Sequence, residues 1–252
     1  MTEHDREYLM SLEKGLAIIE AFAHSRAPLT LTKAAEITGH SKPSVRRCLL
    51  TLCRLGFATQ SGRQFLLAPR VLRLTHAYVE SDPLTRLAQP VLEIASERTR
   101  ESTSLAVLDY QDAVFVARAT HRRILSVGLG VGARLPVYCS ATGRVLLAGQ
   151  PKAHVEFLLN RMSRPALTAN TITRVRDVVR EVQLARQRGY AISDEELELG
   201  VRSIAVPILS SSGATIAAVS VSVASTRMSR AQVEEKLLPE LLTAARSLSG
   251  RV

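Results

Sequence analysis

"SKPSVRRCLLTLCRLGFATQSGRQFLLAP", residues 41–69, is the stretch on which the fold turns. Pro43 stands where a first helical turn tolerates a missing N–H, with Ser41 or Lys42 before it. Val45, Cys48, Leu49 and Leu52 recur at helical spacing, and Gly56 supplies a stop. Beyond the helix, two short strand-like runs in residues 57–69 flank Ser61-Gly62, a hairpin turn signal. Upstream, residues 11–24 put Leu12, Leu16, Ile19 and Phe22-Ala23 on one helical stripe, with Ser11 as N-cap. Pro28-Leu29 breaks the chain. A short helix in TLTKAAEITGH follows, started by Thr30 or Thr32 and stopped by Gly39. Three short helices with a tight second turn, then a hairpin, predict a winged helix-turn-helix over residues 1–68.

Charge placement points to a partner for this unit. The chain of 252 residues carries a formal charge of +10. From Ser41 to Val79 it holds Lys42, Arg46, Arg47, Arg54, Arg63, Arg70 and Arg73, and no Asp or Glu. If Val45, Cys48, Leu49 and Leu52 face the core, the opposite face of the third helix carries Lys42, Ser44, Arg46, Arg47, Thr51 and Arg54. These are donors for phosphates and guanine edges. Arg63 adds a cation in the hairpin. A basic face without counter-charges suits a polyanion, so the expected partner is double-stranded DNA. The alternative is a solvated basic surface.

The rest of the chain reads as a linker and a second domain. Residues 69–80 have helical spacing, and Ser81-Asp82-Pro83 breaks them. This gives a linker helix over 69–83 and a domain over 84–252. That domain opens with a helix over 84–100. STSLAVLDY and DAVFVARAT then read as strands joined at Tyr110-Gln111-Asp112. HRRILSVGLGVGARLPVY continues as strand, loop and strand. PKAHVEFLLNRM and TRVRDVVREVQLARQRG are helices. YAIS, SIAVPILSS and ATIAAVSVSVAS are strands, and AQVEEKLLPELLTAARSLSG is one last helix. The expected class is α+β, with an antiparallel sheet.

Composition excludes several function classes. Hydrophobic residues make up 46% and charged residues 22%, as in globular proteins. No apolar run approaches the roughly 18 residues of a membrane span, and MTEHDREYLM has no signal-peptide core. The three cysteines form no CxxC pair, which fits a reducing cytoplasm and no disulfide framework. The scattered histidines give no support for a metal, and no cofactor is expected.

Catalytic signatures are weak. GLGVGA, residues 128–133, matches a dinucleotide fingerprint, but Arg134-Leu135-Pro136 continues as extended chain where a helix should open. No GxSxG elbow, phosphate loop or Cys-His signature occurs. Asp194, Glu195, Glu196 and Glu198 cluster in SDEELELG. They read as a structural turn, because no nucleophile or metal partner accompanies them.

Two stretches suggest a small-molecule pocket. YCSATGRVLLAG, residues 138–149, crowds small residues before an apolar helical run. It is either a turn with an N-cap or a helix start whose free N–H groups at Thr142 and Gly143 cradle an anion. AAVSVSVAS puts Ser220 and Ser222 on one strand face and Val219, Val221 and Val223 on the other. The two hydroxyls either line a pocket or face water.

Taken together, RLPVYCSATGRVLLA, GYAISDEELELGVRSIAVPI and ATIAAVSVSVAS, behind a winged helix with a basic third helix, resemble the IclR family of bacterial transcriptional regulators. The resemblance covers about residues 8–248. It is nearest the branch that controls aromatic-acid breakdown through the β-ketoadipate pathway and senses 4-hydroxybenzoate, protocatechuate or β-ketoadipate. The resemblance implies a GAF-like effector domain for a small carboxylate, and a homodimer formed through the winged helices or a dimer of dimers. It implies promoter DNA as partner, with RNA polymerase recruitment as one outcome. Its pocket positions fall on Ile124, Leu135, Ala141, Thr142, Ser193, Ser203, Ser220 and Ser222. Ser193 replaces an acidic residue and Ser203 a cysteine of glyoxylate-responding members, which favours a ligand with its own phenol or keto oxygen. Arg118, Arg123 and Arg134 lie on or beside neighbouring strands, and Arg134 is the first choice for the carboxylate.

Two rival readings remain. One is an enzyme or small-molecule-binding protein acting on an aromatic acid, with the winged helix as an interaction module. The other is a nonspecific nucleic-acid-binding protein.

Overall fold

The computed structural model describes residues 8–25, 27–121 and 130–251. Contacts divide the chain into two compact units, one ending at Tyr78 and the next beginning at Val79.

The first unit is a winged helix-turn-helix. It runs α1 (Met10–Ala23), β1 (Leu29–Thr30), α2 (Leu31–Thr38), α3 (Lys42–Arg54), β2 (Ala58–Ser61) and β3 (Gln64–Leu67). Thr30 caps α2 by accepting from the Lys33 amide at 3.2 Å, and Gly39 ends it at φ 68°. Pro43 lies in the first turn of α3, and Gly56 follows it at φ 78°. Val45, Leu49 and Leu52 are buried against Ile18, Ala21, Leu29, Ala34 and Phe65.

Four expectations are corrected here. α1 starts at Met10 with Leu9 at its cap, so Ser11 lies inside the first turn. Its fully buried residues are Ile18 and Ala21; Ile19 and Phe22 of the expected stripe pack partly against the same core, whereas Leu12 and Leu16 are 58% and 50% exposed. The helix is apolar on two sides, and spacing cannot tell which side meets the core. Leu29–Thr30 is a third strand, with Leu29 opposite Phe65; two residues are too short for alternation to show. The hairpin loop is Gly62-Arg63, because Ser61 pairs with Gln64. Gly62 takes the left-handed conformation the turn needs, at φ 57°.

A 3₁₀ turn (Pro69–Val71) leads into α4 (Leu72–Ser81). Asp82 then caps α5 (Pro83–Thr99), accepting from the amides of Leu84 and Thr85 at 3.3 and 3.2 Å.

The second unit is α+β. It comprises α5, β4 (Ser102–Asp109), β5 (Asp112–Ala119), β6 (Arg134–Pro136), α6 (Ala141–Ala148), α7 (Lys152–Arg161), α8 (Val175–Arg188), β7 (Ala191–Asp194), β8 (Val201–Leu209), β9 (Thr215–Ala224), α9 (Arg230–Lys236) and α10 (Leu238–Leu248). Among the described residues six antiparallel strands lie in the order β6-β5-β4-β9-β8-β7. The expected last helix is two. Pro239 has no N–H to continue the ladder, so it sits in the first turn of a new helix.

The two faces of the sheet differ in bulk. One presents Leu105, Ile204, Val206, Val219, Val221 and Val223 to α5, α9 and α10. The other presents Ala106, Ala113, Ala191, Ala205 and Ala218 toward α6. Small side chains on the α6 side leave volume that large ones would fill. A further layer of α7 and α8 packs behind α6 through Leu147, Val155, Leu159, Val178 and Val182.

Candidate functional site

The α3 face and the hairpin carry the cations. Lys42, Arg46, Arg47, Thr51 and Arg54 are exposed on α3, and Ser44 is half-buried. Thr51 donates its hydroxyl to the Arg47 carbonyl at 2.8 Å, so that proton stays within the helix. Arg63 is exposed at the hairpin tip. Among the described residues none of these cations has an ion pair, and the ion pair of this unit is Lys33–Glu36. Arg70 is set apart from them. It donates to the Leu55 carbonyl at 2.9 Å and lies over the Phe57 ring at 5.4 Å, tying the end of α3 to the exit of the wing.

The second unit holds a small, partly enclosed cavity, whose empty space is about 550 Å³ only when the open solvent at its mouth is included. Leu135, Ala141, Thr142, Ser193, Ser203, Ser220 and Ser222 line it together. Ser140, from the same small-residue stretch, lines it as well, as do Phe115, Leu197, Glu198 and Val201, which sequence reasoning missed as pocket residues. Leu197, Glu198 and Val201 sit in the SDEELELG turn and the strand after it. Phe115 is reachable only from the strand register, opposite Ala106.

The register assembles a polar row. Ser193 lies opposite Ser203, Ser203 opposite Ser222, and Ser222 opposite Ser102. The Ser203 and Ser222 hydroxyls are 2.9 Å apart, and Ser193 donates to the Cys139 carbonyl at 2.8 Å. Ser220 is buried beside this row. The valines between these serines pack into the helix-covered core, as alternation predicts.

The start of α6 forms the opposing wall. Ser140 accepts from the Gly143 amide at 3.2 Å and donates to the Pro136 carbonyl at 2.7 Å. Gly143 therefore offers no free N–H to an anion and does not line the cavity. Its role is close packing: a Cβ there would lie 2.3 Å from the Val137 Cα. Thr142 is different, because its buried Oγ1 has no hydrogen-bond partner. Next to this wall, burial pushes the Cys139 thiol up to about 11.

Like Gly143, one further expected position falls outside the lining. Arg134 does not line the cavity. It is 47% exposed and binds Asp109 at 2.7 Å and Asp112 at 2.9 Å. Alternation along β6 buries Leu135 and turns its neighbour outward, where Asp109 at the end of β4 and Asp112 at the start of β5 supply the two carboxylates. Ile124 and Arg123 lie outside the described residues.

The remaining motifs resolve structurally. Residues 130–133 turn into β6, not into a helix, with Gly132 at φ 86°. Residues 128–129 of GLGVGA lie outside the described residues. Glu196 is buried in an ion pair with Arg144. Among the described residues no cluster suits a metal, and no helix is long and apolar enough to cross a membrane.

A winged helix with an unpaired basic face, followed by an α+β unit with a small polar cavity, defines a DNA-binding regulator with a sensing domain. Residues 11–62 match the IclR helix-turn-helix domain, and residues 76–250 match the domain described as bacterial transcriptional regulator IclR C-terminal. The chain belongs to the IclR family of transcriptional regulators. It is 41% identical over 245 residues to the Pca regulon regulatory protein of Pseudomonas putida, covering 97% of this chain and 84% of that protein. It is 35% identical over 251 residues to the p-hydroxybenzoate hydroxylase transcriptional activator of Acinetobacter baylyi, covering 98% and 93%. A crystal structure of an IclR homolog complexed with 4-hydroxybenzoate, from Microbacterium hydrocarbonoxydans, is similar with TM-score 0.78 at 26% identity. It covers 95% of this chain and 97% of that one.

Proposed function

We propose that this regulator binds promoter DNA through Lys42, Ser44, Arg46, Arg47, Thr51, Arg54 and Arg63. In the cavity it binds an aromatic or pathway carboxylate of the 4-hydroxybenzoate, protocatechuate or β-ketoadipate class, and so controls genes of aromatic breakdown. The observation that carries the effector reading is the buried Thr142 hydroxyl, unpartnered on the wall facing a row of serines. A buried hydroxyl left without a partner is unfavourable by roughly 1–3 kcal/mol, and a ligand oxygen removes that penalty. The names of the Pseudomonas and Acinetobacter relatives and the ligand of the Microbacterium structure support the same class.

The division we propose is a DNA-binding domain over 1–68, a linker over 69–83 and an effector domain over 84–252. The protein works as a homodimer or dimer of dimers in the cytoplasm, without enzymatic turnover, and RNA polymerase is a further partner. The exposed Leu9 at the cap of α1, with Met10, Leu12 and Leu16 in its first two turns, supports self-association of the winged units. Effector binding acts on DNA affinity to the extent that the effector binds the two states differently.

A thermal-shift panel of 4-hydroxybenzoate, 3-hydroxybenzoate, protocatechuate, β-ketoadipate and glyoxylate tests the effector class. Stabilisation by one of the first four, without product, supports it. Stabilisation by glyoxylate alone overturns it, and turnover shifts the assignment to an enzyme. Displacement of a promoter fragment by an equal amount of random duplex would refute sequence-specific DNA binding.

A further inference from the structure

Most buried or half-buried arginines of the second unit have found acceptors. Arg144 binds Glu196, Arg202 binds Asp194, and Arg227 binds Glu101. Arg164 donates to the carbonyls of Met162 and Thr173. Arg118 differs: it is half-buried, and among the described residues it has no ion pair and no side-chain hydrogen bond. A guanidinium partly removed from water without a compensating acceptor is unfavourable.

Its position relates it to the cavity. Arg118 lies opposite Ser104 on β4, and Ser104 opposite Ser220 on β9, so the three share one face of the sheet. Ser220 lines the cavity, and so does Phe115, whose ring centroid is 5.8 Å from the Arg118 guanidinium carbon. Burial also holds this arginine below its ordinary pKa, the direction expected when desolvation is not offset by an anion. Three residues on, His121 buries Nδ1 without a partner, a second unsatisfied polar group near the same strand end. Among the described residues the lining holds no cation and one carboxylate, Glu198.

We propose that Arg118 is the counter-ion for the effector's carboxylate, placing an aromatic ring against Phe115 and its far polar group toward Thr142. The assignment rests on the carboxylate reading of the cavity. It replaces Arg134, whose guanidinium already holds two aspartates. A planar guanidinium meets a carboxylate with two parallel hydrogen bonds, and partial burial strengthens them.

The test is equilibrium binding of 4-hydroxybenzoate and of its neutral counterpart 4-hydroxybenzamide to the full chain, as wild type, Arg118→Gln and Arg118→Lys. Wild type is expected to prefer the acid. Arg118→Gln should lose about 30-fold or more in acid affinity and little in amide affinity, so that the acid-to-amide ratio collapses toward one. Arg118→Lys, a point charge without the fork, should fall between. An unchanged ratio in Arg118→Gln overturns the assignment and moves the carboxylate to the start of α6. If wild type binds neither compound nor protocatechuate, the aromatic-acid reading of the cavity falls along with it. Should Arg118→Gln fail to fold, Arg118→Met supplies the same ratio.

Discussion

Arg144 and Glu196 form a buried bidentate ion pair, with Nη1 and Nη2 at 2.6 and 2.5 Å from the two carboxylate oxygens and side chains 1% and 7% exposed. Arg144 sits in the first turn of α6, two residues after Thr142. Glu196 precedes Leu197 and Glu198 of the cavity mouth and also accepts from the Ile172 amide at 3.3 Å. The pair thus fastens one wall of the cavity to its rim. Glu196→Ala leaves a guanidinium buried without its carboxylate, which is expected to destabilise the second unit by about 3–5 kcal/mol. Replacing both, as Arg144→Met with Glu196→Gln, should be much milder. Urea unfolding of the three proteins measures this, and equal losses in single and double variants would contradict it.

Gly143 fills a position where no side chain fits. An added Cβ meets the Val137 backbone at 2.3 and 2.6 Å, and backbone cannot move aside as a flexible side chain can. Gly143→Ala should therefore lower stability by about 2–3 kcal/mol or shift α6. A thermal midpoint within a degree of wild type would show that the wall is looser than its geometry.

Much of this was legible because local rules and tertiary needs agreed. Thr30, Gly39, Pro43 and Gly56 each sit where helix-end chemistry puts them, and the serine and valine alternation on β9 separates cavity from core. What stayed hidden depended on register or on distant partners. Nothing local marks Glu196 as the mate of Arg144, 52 positions away. Arg134 and Arg118 are both strand arginines, and only the pairing of β5 with β6 and β4 sends one to the aspartates and leaves the other free of them. Leu12 and Leu16 matched a helical stripe as well as Ile18 and Ala21 did, because burial is decided by what packs opposite.

Cys139 gives stability an alkaline limb. Burial raises its folded pKa from 9.0 to about 11, so the unfolded chain releases this proton first as pH rises. The contribution is fully present below pH about 9 and is lost as pH climbs through about 11, on the order of 2 kcal/mol in total. Urea midpoints at pH 8 and 10.5 should therefore differ more in wild type than in Cys139→Ala. Native labelling at pH 8 should modify the half-buried Cys48 and Cys53 before Cys139.

Arg47 and Arg70 separate contact from support. Arg47 is exposed on α3 without an ion pair, whereas Arg70 braces Leu55 and Phe57. Arg47→Ala should weaken promoter binding with an unchanged melting temperature, and reduce the salt slope by about one if it meets a phosphate. Arg70→Ala should instead lower the stability of the winged unit. A gel-shift salt titration beside thermal melts tells them apart. Unchanged DNA affinity in Arg47→Ala would take that residue out of the interface.

Thr142 allows a prediction in which stability and binding move in opposite directions. Its Oγ1 is buried and unpartnered, so in the empty protein the hydroxyl is a liability. Thr142→Val keeps the shape, removes the orphan oxygen, and should leave the empty protein as stable as wild type or more stable by up to about 1 kcal/mol. If a ligand oxygen bonds to that hydroxyl, the same change should weaken 4-hydroxybenzoate binding by about tenfold, the worth of one neutral hydrogen bond. Calorimetric titration with a melting curve on the same sample reads both quantities. A variant that is destabilised, and that binds the acid as wild type does, would place the Thr142 hydroxyl in the packing of α6 and outside the recognition of the effector.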